Sequence, residues 1–430
     1  MKNVYVVEAA RTAVARGGKQ SWFMNVRADE LSSIVMKELR ERIGVGEDWA
    51  KQDEIIDDVV WATCANAYKE QGGNFGRIAW LQSGGSYNVA GCTVDRLCAS
   101  SLSAIAMGMS TMQTFGGDVI FAGGGQHMTH IPMGAGFDVH PDAAKFMDPM
   151  SLSMGWTSEQ VARRFNIGRE RMDAFSLKAH QKCAAAQDAN GGLGKTKDVI
   201  IPIQAKVPVK GYREDPLTPA AKFVASEHLA KKYVEDGGEV KEMVVFRDQG
   251  LRRDTSLEGL AKMKPVFMQD EAASVTAGNS SQINDAGAGV VLATDEGCKK
   301  IGKKPIMKLH SYAVIGVEPM IMGVGPAYAI PKVMKRSGLD KKDIGLWEVN
   351  EAFASQALYC CEDVLDLPMD RVNVWGSGIA IGHPLACTGA RIACDVTQMF
   401  LDPEFADVKY IVESMCVGGG MGAAAIWERA

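Results

Sequence analysis

The sequence predicts an α/β protein built as two similar halves, with a region of different texture inserted into the first. Three observations predict it. A helical run, a strand and three consecutive glycines occur in that order twice, about 290 residues apart. The stretch between Gln126 and Gln269 loses this texture and is rich in methionine, loop residues and charge. The chain is 430 residues long and 47% hydrophobic, enough to bury a large core shared by two layered units.

Taken in order, Val4-Tyr5-Val6-Val7 has the β-branched and aromatic content of an opening strand. Cys98-Ala99-Ser100-Ser101 opens a helical run to about Thr114, whose Ser100, Ser103, Ala104, Ala106 and Gly108 predict close packing inside the molecule. Asp118-Val119-Ile120-Phe121-Ala122 reads as a strand and Gly123-Gly124-Gly125 as a turn. His127, Met128, His130, Met133, Met147, Met150 and Met154 then crowd a loop-rich stretch, and methionines suit a flexible apolar ligand as well as a core. A helix follows with Thr157 or Ser158 as its cap, and another covers Arg169 to Gln187. Residues 204–247 are charged and lack a steady period. Val275 to Ser281 and Val290 to Ala293 read as a return to the first sheet. Strands at Ile306 to Val317 and Leu346 to Val349 begin the second half. His383-Pro384-Leu385 opens a helical run to Phe400, and the strand Tyr410 to Met415 leads into Cys416-Val417-Gly418-Gly419-Gly420.

A net charge of −5, with no dense basic patch, argues against nucleic-acid binding. Lys231-Lys232 and Lys341-Lys342 read as solvated helix ends. No apolar run reaches the roughly 18 residues of a spanning helix, and the first residues lack a signal-peptide pattern, so a cytoplasmic location is expected. The ten cysteines are scattered, none in the Cys-x-x-Cys spacing of a zinc site, and no metal is expected.

Four segments can carry chemistry. Cys98 sits at a helix start, where the dipole and free N–H groups favour thiolate. His383, in Gly382-His383-Pro384, also precedes a helix and can take a proton from a thiol. Asn350 follows a strand, and its amide can hold a water or an oxyanion. Cys416 stands beside a glycine turn that offers unshielded N–H groups. Taken singly, Cys98 and Cys416 read equally well as core thiols, His383 as a satisfied cap and Asn350 as an N-cap. Together they share one property: all four lie at strand or helix termini, where α/β folds place their sites.

Those segments resemble the signatures of the thiolase family, and the resemblance runs nearly end to end. Thr93-Val94-Asp95-Arg96-Leu97-Cys98-Ala99-Ser100-Ser101 is similar to its nucleophile segment, and Asn350-Glu351-Ala352-Phe353, Gly382-His383-Pro384 and Cys416-Val417-Gly418-Gly419-Gly420 to its other three motifs. Gly124-Gly125-Gln126-His127-Met128 and Ile131-Pro132-Met133 further resemble the thiolase subunit of bacterial fatty-acid oxidation complexes. The resemblance implies a five-layer α/β/α/β/α fold: residues 1–125 with 270–296 as one half, 297–430 as the other, and 126–269 as a loop domain over the site. It implies Cys98 as the acylated nucleophile, His383 as its base, and Cys416 as the acid and base at the substrate α-carbon and the CoA thiol. Asn350, through a water, would join His383 in one oxyanion hole, and the N–H groups of Cys98 and Gly418 would form the other. Ser281, Met154, Met322 and Phe353 fall where relatives line the pantetheine or acyl pocket. The implied activity is cleavage of 3-ketoacyl-CoA, with coenzyme A as substrate and no permanent cofactor. The implied assembly is a homodimer or homotetramer, with a hydratase/dehydrogenase subunit as a candidate partner.

Some positions depart from the family pattern. Trp375-Gly376-Ser377-Gly378 replaces Asn-Gly-Gly-Ala, Asp95 stands for asparagine, Ala386 replaces a glycine, and 204–246 is longer than in compact relatives. These bear on substrate range and partners. The other readings are a short-chain acetoacetyl-CoA thiolase and a non-catalytic lipid-binding protein of the same fold; the intact Cys98, His383 and Cys416 argue against the second.

Overall fold

The computed structural model describes residues 2–64, 68–211, 220–225 and 238–430. Lys231 and Lys232, and parts of the charged 204–246 stretch, lie outside the described residues. The first half contains β1 (Val4–Arg11), α1 (Ala28–Arg42), β2 (Asp58–Ala62), α2 (Phe75–Gln82), β3 (Cys92–Val94), α3 (Ser100–Thr114) and β4 (Val119–His127). The middle carries α4 (Met154–Arg164), α5 (Arg169–Asp188) and a small sheet of β5 (Ile203–Pro208), β6 (Phe223–Val224) and β7 (Val240–Val245). Then follow β8 (Asn284–Thr294), β9 (Met307–Gly316), α6 (Gly325–Ser337), β10 (Leu346–Val349), α7 (Ala354–Leu358), α8 (Thr388–Leu401), β11 (Tyr410–Val417) and β12 (Met421–Arg429).

The large sheet has the order β10-β11-β12-β9-β1-β8-β4-β2-β3. Read outward from its middle, each side repeats the other. β1-β8-β4-β2 and β9-β12-β11-β10 both run antiparallel, antiparallel, parallel. One ladder pair, Val6 with Met307, joins the two sides. The twice-read pattern is therefore a structural repeat of helix, strand and returning strand.

Strand alternation assigns the layers. Val60, Ala62, Ile120, Ala122, Ile411 and Met415 face a central cluster that also holds Leu102, Ile105 and Met109 of α3 and Ile392, Val396 and Met399 of α8. Val59, Trp61, Val119 and Phe121 face the opposite way, onto α1 and α2. Val412, Ala424 and Ile426 turn outward onto α6. The result is five layers, with α3 and α8 buried between two half-sheets. Small residues permit that burial: a methyl on Gly389 would lie 2.5 Å from Leu102 N, and Ala390 N donates to Ser101 Oγ at 2.8 Å. These two helix starts carry Cys98 and follow His383, so the helix contact sets the distance between thiol and imidazole.

Three local expectations fail. Gly123-Gly124-Gly125 is not a turn but part of β4. A Cβ there would run into Ala288 O and Trp61 at Gly123, and into Ser32 Oγ at Gly125, so close packing rather than a reversal selects glycine. Gly419 and Gly420, at φ +77° and +83°, are the turn glycines. Thr157 and Ser158 do not cap; the helix starts at Met154 with Ser153 before it, and Thr157 Oγ1 donates back to Met154 O at 2.8 Å. Val275 to Ser281 is loop, and the returning strand begins at Asn284.

Candidate functional site

Cys98 is presented by a sharp bend between β3 and α3. Leu97 adopts φ +47°, a left-handed conformation costly for a branched side chain. Short polar contacts hold it: Leu97 N donates to Asp95 Oδ1 at 2.8 Å, Arg96 N to Ser100 Oγ at 2.7 Å, and Ser100 Oγ to Leu97 O at 2.6 Å. Asp95, a departure from the pattern, is thus a brace for this bend. The Cys98 sulfur lies against the backbone N–H of Gly418 and its own N–H.

His383 arrives on a loop that requires glycine. Gly382 has φ +124°, and a methyl on it would lie 2.5 Å from the Asn284 amide. Asn284, fully buried, accepts from His383 N at 2.8 Å through Oδ1 and donates to Ala15 O at 3.0 Å through Nδ2. Around the ring, Thr388 Oγ1 is 2.7 Å and the Asn350 amide 3.3 Å from Nδ1. His383 Nε2 is buried with no protein partner.

One cavity of about 160 Å³ joins these parts. Cys98, His383 and Cys416 line it together with Ser281, Met154, Met322 and Phe353. Asn350 and Gly418 stand just behind its wall: Asn350 against His383, and Gly418 with its N–H on the Cys98 sulfur. The lining is largely apolar, and Met128, Met133 and Phe267 extend it. Methionine thioethers adapt to chains of varied shape.

Burial dominates the electrostatics. It pushes the Cys98 thiol up to about 11, against the pull of the two N–H groups. The helix start therefore does not produce a resting thiolate, contrary to the expectation from the dipole. Burial also raises Cys416, and the neighbouring Cys98 raises it further. Burial and then the Arg391 charge lower His383 to about 3. The resting site is thus two neutral thiols beside a neutral imidazole, a set able to pass protons without holding net charge.

The sequence model described as "Thiolase, N-terminal domain" matches residues 4–296, and "Thiolase, C-terminal domain" matches residues 303–429. The chain belongs to the thiolase family. A 3-ketoacyl-CoA thiolase of Marinobacter nauticus is 36% identical over 100% of this chain and 98% of its own. One of Bacillus subtilis is 36% identical over 100% of both. The crystal structure of the Bacillus anthracis acetyl-CoA acetyltransferase superposes with a TM-score of 0.79 at 31% identity, covering 100% of this chain and 99% of that one.

In this thiolase Trp375 does not line the cavity; it packs in the central cluster beside Phe405, 6.1 Å between ring centres, under the Lys195 ammonium. Ser377 Oγ is buried without a partner, and nothing in the structure explains it. Ala386 is buried and its carbonyl abuts Gly124. Asn284 and the hydroxyl of Thr388 are the site residues the sequence reading passed over. Thr388 lies five residues past His383, at the first position of α8, and no periodicity in the sequence points from one to the other. Asn284 is 99 residues away and carries no signal either. Among the described residues, no His, Cys, Asp and Glu cluster is placed to hold a metal, and no helix is long and apolar enough to cross a membrane.

Proposed function

We propose that this acyltransferase is a 3-ketoacyl-CoA thiolase. It cleaves 3-ketoacyl-CoA with CoA to acetyl-CoA and a shortened acyl-CoA through an acyl-Cys98 intermediate. The observation that carries the reading is the convergence of Cys98, Cys416 and His383 on one cavity, with the Gly418 and Cys98 N–H groups at the nucleophile. The thiolase names of relatives 36% identical over the full chain support it.

This reading gives each of these groups its step. His383 Nε2 takes the Cys98 proton as the sulfur attacks the 3-keto carbon. The tetrahedral oxyanion then rests on the Cys98 and Gly418 N–H groups, each donor contributing about 3 kcal/mol. Collapse breaks the Cα–Cβ bond and leaves an enolate on the departing thioester. His383, with a water held by Asn350, stabilises that second oxyanion, and Cys416 delivers the proton to the α-carbon. CoA, deprotonated by Cys416, then takes the acyl group from Cys98 in a ping-pong second half. Ser281, Met154, Met322 and Phe353 hold the pantetheine and acyl arms.

Residues 126–269 serve as the cover over this site, with 1–125 plus 270–296 and 297–430 as the two catalytic halves. The protein works as a homodimer or homotetramer in the cytoplasm, where its ten unpaired cysteines stay reduced. A hydratase/dehydrogenase subunit is the candidate partner. A second reading, a short-chain acetoacetyl-CoA thiolase, is favoured by the small cavity and by the likeness to the Bacillus anthracis acetyl-CoA acetyltransferase. A chain-length profile with 3-ketoacyl-CoA substrates decides between them. Turnover of long chains supports the first, and turnover of acetoacetyl-CoA alone supports the second. Absence of both turnover and a Cys98 acyl adduct by mass would leave only a non-catalytic role.

A further inference from the structure

His383 has two ring nitrogens with different surroundings, and its use as a base depends on which one carries the proton. Nε2 is buried without a protein partner, and the ring lines the cavity that holds Cys98. Nδ1 lies 2.7 Å from the Thr388 hydroxyl. That hydroxyl has a single proton, and it lies within 3.3 Å of Pro384 O, which can accept it. If Thr388 donates to Pro384 O, its lone pairs face Nδ1, and Nδ1 must supply the hydrogen. In the reverse arrangement Nδ1 accepts, Nε2 carries the proton, and the ring cannot take one from Cys98.

We propose that Thr388 is a positioning residue that keeps the His383 proton on Nδ1 and thereby makes Nε2 the basic nitrogen facing Cys98. Thr388 is fully buried at the first position of α8, so surface water does not compete for its hydroxyl. Asn284 fixes the His383 backbone from the other side, so ring and main chain are both clamped. The Asn350 amide, 3.3 Å from Nδ1, has an unpartnered Oδ1; exchanging the two ends of the amide lets that oxygen share the same Nδ1 hydrogen. The charged and titratable groups acting on the ring are Arg391 from α8, Cys98 before α3 and Cys416 from β11. In the activation step the Cys98 S–H bond breaks, its proton forms an N–H bond at Nε2, and the electron pair stays on sulfur. Nδ1 keeps its own proton against Thr388 throughout.

This proposal rests on the reading of Cys98 as nucleophile and His383 as base. The test is single-turnover acylation of Cys98 by acetoacetyl-CoA, followed by mass from pH 6 to 9, in the wild type, Thr388→Val and Thr388→Ser. In the wild type the neutral base is present throughout, and the rate is nearly level with pH. Thr388→Val lowers the rate at pH 7 about 100-fold at an unchanged half-saturating concentration of acetoacetyl-CoA, and the remaining rate climbs about tenfold per pH unit as the thiol ionises unaided. Thr388→Ser restores both the rate and the level profile. Thr388→Ala deletes the same hydroxyl with less bulk and serves if Thr388→Val fails to fold. A level profile in a folded hydroxyl-free variant, or a rate within about threefold of wild type, overturns the proposal. No adduct in the wild type overturns the nucleophile assignment itself, and this proposal with it.

Discussion

Cys98 sits on a strained bend, in a dry wall, beside two N–H groups, and its thiol is raised to about 11. Alkylation needs thiolate, so the thiolate fraction grows about tenfold per pH unit until that value is passed. In a His383→Ala variant, where no base takes the proton during attack, the rate of Cys98 alkylation by a small neutral reagent, with the adduct located by mass, is expected to keep climbing beyond about pH 9.5. A plateau near pH 7 would mean that the N–H groups outweigh burial. The two thiols also separate by role. Cys98→Ala is expected to abolish both half-reactions, whereas Cys416→Ala should retain slow acylation and lose exchange of the substrate α-proton, followed by NMR in deuterated water. Persisting exchange would remove Cys416 from its assigned place. Legibility at this scale followed chemistry. Cys98, His383, Asn350 and Cys416 stand at element ends, but each alone reads as well as a core or capping residue, and the thiolase-like motifs around them are what single them out. Asn284 and Thr388 matter through contacts with His383, and an amide or hydroxyl in a chain of 430 residues has no distinguishing mark until the loop is folded.

The elements were read more surely than their edges. α3, α8, β10 and β11 stand close to where periodicity and composition put them, because each is a largely buried run with one repeat length. The three glycines of β4 misled, since a glycine demanded by a neighbouring backbone looks the same in sequence as one demanded by a turn. The two kinds differ under substitution. Gly123→Ala drives a methyl into Ala288 O and is expected to destabilise by about 2 kcal/mol or more in urea titrations. Leu102, fully buried where α3 meets α8, is expected to cost about 3 kcal/mol as Leu102→Ala. Glu70 ties a loop to the start of α1 and to His130: it accepts from Ala28 N at 2.8 Å, and its Oε1 lies 3.1 Å from His130 Nδ1. Although burial opposes it, the hydrogen bond and charge of His130 help hold Glu70 down at about 2. A lowered acid contributes stability above its unfolded value near 4.5 and loses it as pH falls toward 2. Glu70→Gln is therefore expected to lower stability by about 2 kcal/mol at pH 7 and by much less at pH 3, read from denaturant midpoints.

For the whole molecule, the mirrored strand order shows that two halves share a plan, while the central cluster shows that they share a core. α8, from the second half, packs on β8, β1 and β4 as well as on its own β11. Residues 297–430 expressed alone are therefore expected to give no cooperative unfolding transition by circular dichroism; a sharp transition would contradict the shared core. The repeat was legible because each half reuses one order of elements. The layering was not, because nothing in a linear pattern says that two small-residue helices from distant segments will touch through Gly389 and Leu102.

The partners of β1 have a temporal consequence. Val4–Arg11 pairs with Asn284–Thr294 on one edge and meets Met307 on the other, so most of its ladder bonds form only when those segments leave the ribosome, while Ala9 and Arg11 have earlier partners in Arg42, Val199 and Ile201. At ordinary translation speeds that interval is about 15 to 60 s. During it the nascent chain carries a strand with both edges open, until Asn284–Thr294 closes one and the strand that begins at Met307 closes the other.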